Sequence, residues 1–325
     1  MDFIKGNKAV LDTFKEAFRK SRLSHAYIVE GEKGSGRLTL TRAILANLIC
    51  EKEGCYACNS CEKILHGIHQ DIREISCTQG ESTIKIEAVR EAILDSHIKP
   101  AECKWKAFII KDAQLMTPAA QNALLQIFEE PPKNVLFFLL VTNRNLLLST
   151  LKSRAITIKT ERFSDEEVRA YLLERFPDAS ALIDEATLVA NGAIGRGIDF
   201  ISSEENRRAT TLVKRYFDEI SRDSRFSSLS LILSPASLGD KTNLLPTMDK
   251  FNLALRDILV TKSGYTGRTM YFTNSSALTE LSLLLSENKI IKANEIVNRI
   301  IGDSAKVNVA SALSNLNMAL SSDMS

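Results

Sequence analysis

Apolar residues in the first half of the chain fall into short runs that are typical of buried strands, and helix-like segments separate these runs. Between the runs, apolar residues recur at the three- and four-residue spacing of a helix. Strands that alternate with helices predict a mostly parallel sheet with helices on both faces. The predicted strands cover residues 25–30, 72–75, 106–112, 135–142 and 155–158.

The helical spacing predicts helices at residues 9–20, 38–49, 86–98, 117–130 and 146–152. One of them has clear end signals. Thr117 suits the cap, Pro118 suits the first turn, and Pro131 cannot continue a helix.

After residue 163 the strand signals stop. Residues 164–203 predict a small helical unit that is interrupted at Asn191-Gly192. From residue 204 onward the pattern is helical, with loops near 234–242 and 263–275. The pattern therefore predicts an α/β domain that is followed by helical parts.

Composition limits the classes of function. The chain has 325 residues, of which 44% are hydrophobic and 25% charged, as in ordinary globular proteins. A net charge of +2 excludes a polycationic nucleic-acid binder. Apolar runs are too short for a membrane span, and residues 1–5 lack an apolar leader core. We therefore expect a cytoplasmic protein, in which clustered cysteines bind metal more often than they form disulfides.

Four cysteines are close together in the sequence, with the spacing C-x4-C-x2-C-x2-C. They are Cys50, Cys55, Cys58 and Cys61. Four thiolates suit tetrahedral Zn²⁺ at about 2.3 Å per bond and leave no open position, which indicates a structural site. His66 and His69 are nearby competing ligands, and reduced thiols without metal are the alternative. Cys77 and Cys103 are predicted to be ordinary thiols.

The loop after the first predicted strand has the glycines of a phosphate-binding loop but lacks the residues that handle phosphate charge. Its glycines are Gly31, Gly34 and Gly36. Arg37 stands where the pattern G-x-x-x-x-G-K-[ST] has lysine, and Leu38 stands where a hydroxyl holds Mg²⁺. Arginine keeps the charge, but its planar fork differs from a compact ammonium group.

A third defect lies at the end of the third predicted strand. Asp112 can still help to hold a metal, but Ala113 supplies no carboxylate to orient a water molecule. Together the three defects predict that the chain does not hydrolyse ATP. Two interpretations of the loop stay open, namely weak nucleotide binding through its amides and a simple strand-to-helix turn.

Several segments resemble the bacterial clamp-loader AAA+ family. They are residues 22–27 (RLSHAY), 122–132 (NALLQIFEEPP), 148–155 (LSTLKSRA) and the four-cysteine cluster. Gly195-Arg196 resembles the second sensor region of that family, and residues 256–259 resemble part of a helix in its collar domain. The resemblance covers nearly the whole chain, and its most specific parts are the Glu-Glu-Pro-Pro helix and the cysteine cluster.

The resemblance implies a fold and a branch of the family. It implies an α/β AAA+ P-loop domain over residues 1–162, with a parallel sheet and a zinc-binding insertion at 50–61. A small helical lid domain over 163–203 and an all-helical C-terminal collar domain over 204–325 would follow. The damaged loop and the Asp112-Ala113 pair are most similar to the delta-prime branch of DNA polymerase III. The gamma/tau motor branch would keep the lysine, hydroxyl and glutamate.

The resemblance also implies residue roles. Arg154 matches an arginine finger that reaches ATP on a neighbouring subunit, and Lys85 falls in a segment that lines a DNA channel. The alternatives are a surface or core-capping arginine and a solvated lysine, and His25 is expected to be structural. The implied degenerate nucleotide site comprises Gly31, Gly34, Gly36, Arg37, Asp112, Thr142 and Arg196.

The implied function is that of a non-hydrolysing clamp-loader subunit. Its implied partners are gamma/tau and delta subunits, a sliding clamp and, through the complex, primer–template DNA, with no membrane contact. The expected cofactor is structural Zn²⁺, whereas binding of ATP and Mg²⁺ is doubtful. An active AAA+ motor is the alternative. A zinc-bearing nucleic-acid module is disfavoured by the low net charge.

Overall fold

The computed structural model divides the chain into two compact units. The described residues are 7–20, 22–52, 54–78, 81–238, 241–264, 269, 271–272, 275–302 and 307–321. Residues 1–5, considered above for a leader sequence, lie outside them. One unit contains Met1–Arg175 and Gly192–Gly195, and the other contains Phe176–Asn191 and Arg196–Ser325.

Five parallel strands form the sheet of the first unit, in the order β2-β3-β4-β1-β5. The strands are β1 (Ala26–Glu30), β2 (Ile72–Ile75), β3 (Lys106–Ile110), β4 (Val135–Val141) and β5 (Ile156–Lys159). Tyr27 of β1 lies opposite Phe138 of β4 on one side and Ile156 of β5 on the other. The predicted parallel sheet is confirmed, and the strand bounds differ from the prediction by two residues at most.

The helices of the first unit follow the predicted order with one addition. They are α1 (Lys8–Arg19), α2 (Arg37–Ile49), α3 (Asn59–His66), α4 (Ile86–Ser96), α5 (Pro118–Glu129), α6 (Ser149–Lys152) and α7 (Asp165–Arg175). The sequence pattern did not predict α3. The predicted helix at 146–152 is instead a 3₁₀ turn, Arg144–Leu146, followed by the short α6. Thr117 caps α5 as predicted, because its Oγ1 accepts a hydrogen bond from the Ala120 N–H at 3.2 Å.

Alternate residues of the central strands face opposite helical layers. Tyr27 and Phe138 pack on one face with residues of α1, α2 and α3. Ile28 and Phe137 pack on the other face with residues of α4, α5 and α6. Because β3 and β4 are buried on both faces, their sequences are nearly continuous apolar runs.

The second unit is helical throughout its described residues. Its helices are α8 (Ile183–Ala190), α9 (Ile194–Ser202, whose first two residues group with the first unit), α10 (Glu204–Arg222), α11 (Phe226–Ile232), α12 (Pro235–Leu238), α13 (Leu244–Lys262), α14 (Ser275–Leu284), α15 (Glu287–Gly302) and α16 (Val309–Leu320). Their core contains the fully buried rings of Tyr216, Phe217 and Phe251. Nowhere among the described residues does a helix have the length and apolarity to cross a bilayer.

The glycine loop between β1 and α2 is held by a close backbone contact within the first unit. Gly34 and Gly36 have φ angles of 84° and 80°, in the left-handed region that favours glycine. The Gly195 N–H donates a hydrogen bond to the Gly34 carbonyl at 2.9 Å. A Cβ on Gly195 would lie 2.7 Å from the Gly34 Cα, so a larger residue cannot fit without displacing the loop.

We predict that Gly195→Ala lowers the free energy of unfolding of the first unit by about 1–3 kcal/mol, because the added methyl overpacks a backbone contact. Trp105, the one tryptophan of the chain, reports on this unit during urea unfolding. Gly302→Ala is the control, since no atom of the described residues lies within 4 Å of a Cβ at that position. Coincident unfolding curves for Gly195→Ala and the parent chain would contradict the prediction.

Candidate functional site

Four cysteine thiols meet at the junction of α2 and α3. The sulfur atoms that lie within 4.8 Å of one another are those of Cys50, Cys55, Cys58 and Cys61. The Cys50 Sγ is 3.6 Å from the Cys55 Sγ and 3.7 Å from the Cys58 Sγ. Sulfur ligands about 2.3 Å from a tetrahedral Zn²⁺ lie about 3.8 Å apart, so the thiol spacing fits a metal of this type.

Local backbone geometry brings the thiols together. Cys50 directly follows α2, Cys58 directly precedes α3, and Cys61 lies in the first turn of α3. The connecting turn requires glycine at position 54. Gly54 has a φ of 84°, and a Cβ there would lie 2.5 Å from the Asn47 Oδ1.

The thiols differ in their electrostatic surroundings. Burial opposes ionisation of Cys50, but hydrogen bonds from the backbone of Cys55 and its neighbours lower the pKa of Cys50 to about 6. Burial raises the pKa of Cys61. The N-terminus of α3 also favours negative charge at Cys58 and Cys61. A site with one thiol that ionises readily is suited to binding a cation.

An arginine on α2 fixes this cysteine module to the sheet. The Arg42 Nη1 donates a hydrogen bond to the Leu65 carbonyl at 2.7 Å, and the Arg42 Nε donates one to the Glu74 Oε1 at 2.8 Å. Leu65 belongs to α3 and Glu74 to β2. The two bonds therefore join the module to the edge of the sheet.

One of the two histidines that the sequence offered as competing ligands belongs to a different cluster. His69 groups with Asp71 and Cys103 rather than with the four thiols. The Asp71 carboxylate accepts hydrogen bonds from the backbone N–H groups of residues 101–103 at 2.6–3.0 Å, which identifies it as the anchor of a turn. Burial raises the pKa of Cys103 to about 12, so this thiol stays protonated. Sequence patterning carried no signal for the buried Asp71.

The arginine of the glycine loop binds a carboxylate of its own chain. The Arg37 Nη2 lies 3.1 Å from the Asp112 Oδ1, and the Arg37 side chain is only 11% exposed. Among the described residues, its buried Nη1 has no hydrogen-bond partner. Asp112 follows β3 and has a φ of 48°. The two groups that would handle phosphate and metal in a working loop therefore neutralise each other.

The cavity beside the loop carries carboxylates. It has a volume of about 210 Å³, and its charged lining residues are Glu30, Glu32, Lys159 and Arg162. Glu32 forms an ion pair with Arg162, whereas the buried Glu30 Oε2 has no hydrogen-bond partner in the described part of the chain. Ligand pockets usually have volumes of about 300–1,000 Å³. The cavity is therefore smaller than a usual ligand pocket, and its lining has two carboxylates and two cations.

The residues of the sequence-predicted nucleotide site belong to both units. Gly31 and Thr142 line the cavity beside the loop, and the Thr142 N–H donates a hydrogen bond to the Gln114 Oε1 at 3.4 Å. Arg196 is buried in the second unit, where it lines a cavity of about 260 Å³ with residues such as Glu185.

Arg154 lies on the surface at the end of α6. Its side chain is 36% exposed, and its Nη2 is 2.7 Å from the Glu129 Oε1. Its Nη1 donates hydrogen bonds to the Thr150 carbonyl at 3.1 Å and to the Ser153 Oγ at 3.5 Å. The alternative of a core-capping arginine does not fit this exposure.

Lys85 and His25 have contrasting surroundings. Lys85 is exposed at the residue that precedes α4, and its hydrogen bond with Glu81 raises its pKa. Burial lowers the pKa of His25, whose ring lies edge-on to Phe128 with a centroid distance of 5.8 Å. Lys85 is therefore placed to meet solvent or a partner, while His25 packs within the first unit.

Comparison with known proteins identifies a family. A family model described as "DNA polymerase III, delta subunit" matches residues 6–164. The delta' subunit of Bacillus subtilis is 25% identical over 96% of this chain and 95% of its own length. The delta' subunit of Escherichia coli is 33% identical over 42% of each chain.

Motor-type subunits match over shorter stretches. The gamma subunit of Buchnera aphidicola from Schizaphis graminum is 27% identical over 60% of this chain. The chain spans about half the length of the gamma relatives that it matches, 56% and 46%. The chain therefore belongs to the family of DNA polymerase III clamp-loader subunits of the delta-prime type.

Proposed function

We propose that this chain is a non-hydrolysing subunit of the DNA polymerase III clamp loader. It helps to load a sliding clamp on primed DNA, and Arg154 serves a neighbouring ATPase subunit as an arginine finger. The observation that carries the proposal is the Arg37–Asp112 ion pair, which occupies the charged groups of the chain's own loop.

The proposed lack of ATP hydrolysis follows from the charged groups around the glycine loop. Hydrolysis requires positive groups around the transferred phosphate, a hydroxyl that holds Mg²⁺ and a residue that orients water. In this chain Arg37 is bound to Asp112, Leu38 cannot ligate a metal, and Ala113 carries no polar group. In the lining of the adjoining cavity, the carboxylates Glu30 and Glu32 offset the cations Lys159 and Arg162. Weak nucleotide binding through loop amides is compatible with this proposal.

The finger role draws support from exposure and position. Arg154 lies on a short helix at the surface, and its guanidinium reaches solvent. A finger that a neighbouring chain supplies is commonly worth about 10³–10⁵ in rate. One subunit can therefore lack hydrolysis and still control the rate at an adjacent subunit.

The proposed complex contains gamma/tau and delta subunits and works in the cytoplasm. Lys85 precedes α4 on an exposed surface, so it can bind a DNA phosphate together with the helix N-terminus, without reading bases. We propose that residues 1–162 form the AAA+ domain, while the first compact unit extends to Arg175 and also contains Gly192–Gly195. We propose the lid at 163–203 and the collar at 204–325 as parts of the same assembly.

An active motor subunit is the second candidate function. The matches to gamma and tau subunits favour it. The chemistry of the loop opposes it, because positions 37, 38 and 113 all lack the residue that a motor needs.

We propose that the four-cysteine module holds one structural Zn²⁺. The spacing of the thiols supports this assignment, as does their number, because four sulfur ligands fill a tetrahedral site. Metal binding of this kind contributes on the order of 10 kcal/mol to local folding. The metal would stabilise a segment that is too short to form a core of its own.

Arg154→Ala should leave folding and assembly intact but slow ATP hydrolysis by the reconstituted loader several-fold, because one site loses its finger. Size-exclusion chromatography checks assembly, and steady-state phosphate release gives the rate. Lys152→Ala, which removes a cation from the same helix, is the control and should hydrolyse at the parent rate. An unchanged rate for Arg154→Ala would remove the finger assignment.

The purified chain should contain one zinc ion, and Cys58→Ser should lose it, because the tetrahedral site then lacks a ligand. Metal analysis by mass spectrometry after dialysis gives the stoichiometry. Cys77→Ser is the control, since Cys77 lies outside the thiol cluster. The assignment would be overturned if the parent chain contained no zinc, or if Cys58→Ser retained all of it.

A further inference from the structure

We infer that Glu129 is a positioning residue for Arg154: it holds the guanidinium at the end of α6 in the orientation in which it meets a neighbouring subunit. This inference rests on the proposed finger role. It concerns the acidic pair that ends α5, whose purpose the family resemblance does not supply.

Three acceptors fix the guanidinium from two directions. The Thr150 carbonyl and the Ser153 Oγ bind Nη1 from the side of α6, at 3.1 and 3.5 Å. The Glu129 Oε1 binds Nη2 at 2.7 Å from the end of α5. A flexible arginine held by acceptors on two different helices loses the freedom to swing about its stem.

The two helices are themselves fixed to each other. The Gln121 Oε1, on α5, accepts a hydrogen bond from the Leu148 N–H at 2.9 Å, directly before α6. Gln121 is 5% exposed, and the Leu151 side chain of α6 is fully buried. Glu129 therefore lies on a helix that this hydrogen bond joins to the segment that carries Arg154.

The placement of Glu129 is costly without a cationic partner. It is the last residue of α5, where the helix dipole is negative and a second carboxylate, Glu130, follows. Arg154 compensates this charge. The carboxylate of Glu129 at this helix end is therefore explained by its ion pair with the cation Arg154.

The bond to Glu129 leaves the guanidinium able to bind phosphate. An arginine side chain has five N–H donors. Within the described residues, the Nε–H of Arg154 and one N–H of its Nη2 have no hydrogen-bond partner. The Arg154 guanidinium can therefore stay bound to Glu129 while its remaining N–H groups bind a phosphate.

Glu129→Gln in the assembled loader tests the inference. An exposed ion pair shifts the population of a side-chain orientation by about two- to five-fold. We expect kcat for ATP hydrolysis to fall by about that factor, while KM for ATP and the melting temperature of the isolated chain stay unchanged. Glu130→Gln is the matched control, because the adjacent Glu130 has no ion pair in the described part of the chain, and it should hydrolyse at the parent rate.

The coupled variant separates this inference from the finger proposal. Glu129→Gln added to Arg154→Ala should cause no further loss, because the positioned group is already gone. If Arg154→Ala slows the loader but Glu129→Gln matches the parent or exceeds it, the positioning role is wrong and the finger role stands. A further loss in the double variant would also overturn the positioning role. If Arg154→Ala itself has no effect, the finger proposal fails and this inference fails with it.

Discussion

The proposed lack of ATP hydrolysis depends on the ion pair between Arg37 and Asp112. In a working loop, a cation faces phosphate and a carboxylate helps to hold Mg²⁺. Here the two groups lie 3.1 Å apart and bind each other, with most of the arginine side chain buried. The Gly195 N–H donates a hydrogen bond to the Gly34 carbonyl of the same loop. The loop thus retains its shape as part of the fold, while the charge of Arg37 is paired with Asp112 of the same chain.

The same sheet that carries this loop also positions Arg154. Alternate residues of β1, β3 and β4 pack against helical layers on both faces, so the sheet has no exposed face over these strands. One layer contains α2, which begins at Arg37, and the other contains α5 and α6, which end at Glu129 and just before Arg154. One sheet therefore supports both the glycine loop and the exposed guanidinium of Arg154. This arrangement is the physical basis for proposing a subunit that assists hydrolysis elsewhere.

Local patterns predicted the parts of the molecule that local chemistry determines. Buried strands appeared as apolar runs, and Thr117 and Pro118 marked the start of α5 correctly. The four thiols were recognisable from spacing alone. Contacts between distant segments were not recognisable, because no periodicity links Arg37 to Asp112, Gly34 to Gly195 or Glu129 to Arg154. Helix α3 was missed because its eight residues are mostly polar and follow a cysteine-rich turn.

ATP hydrolysis by the purified chain alone is the most direct test of the central claim. The internal neutralisation of Arg37 by Asp112 predicts no phosphate release above background with Mg²⁺ present. It also predicts that Asp112→Ala leaves that background unchanged. Robust turnover by clean protein that is lost in Asp112→Ala would contradict the account, because it would show that the loop directs its charged groups to a nucleotide.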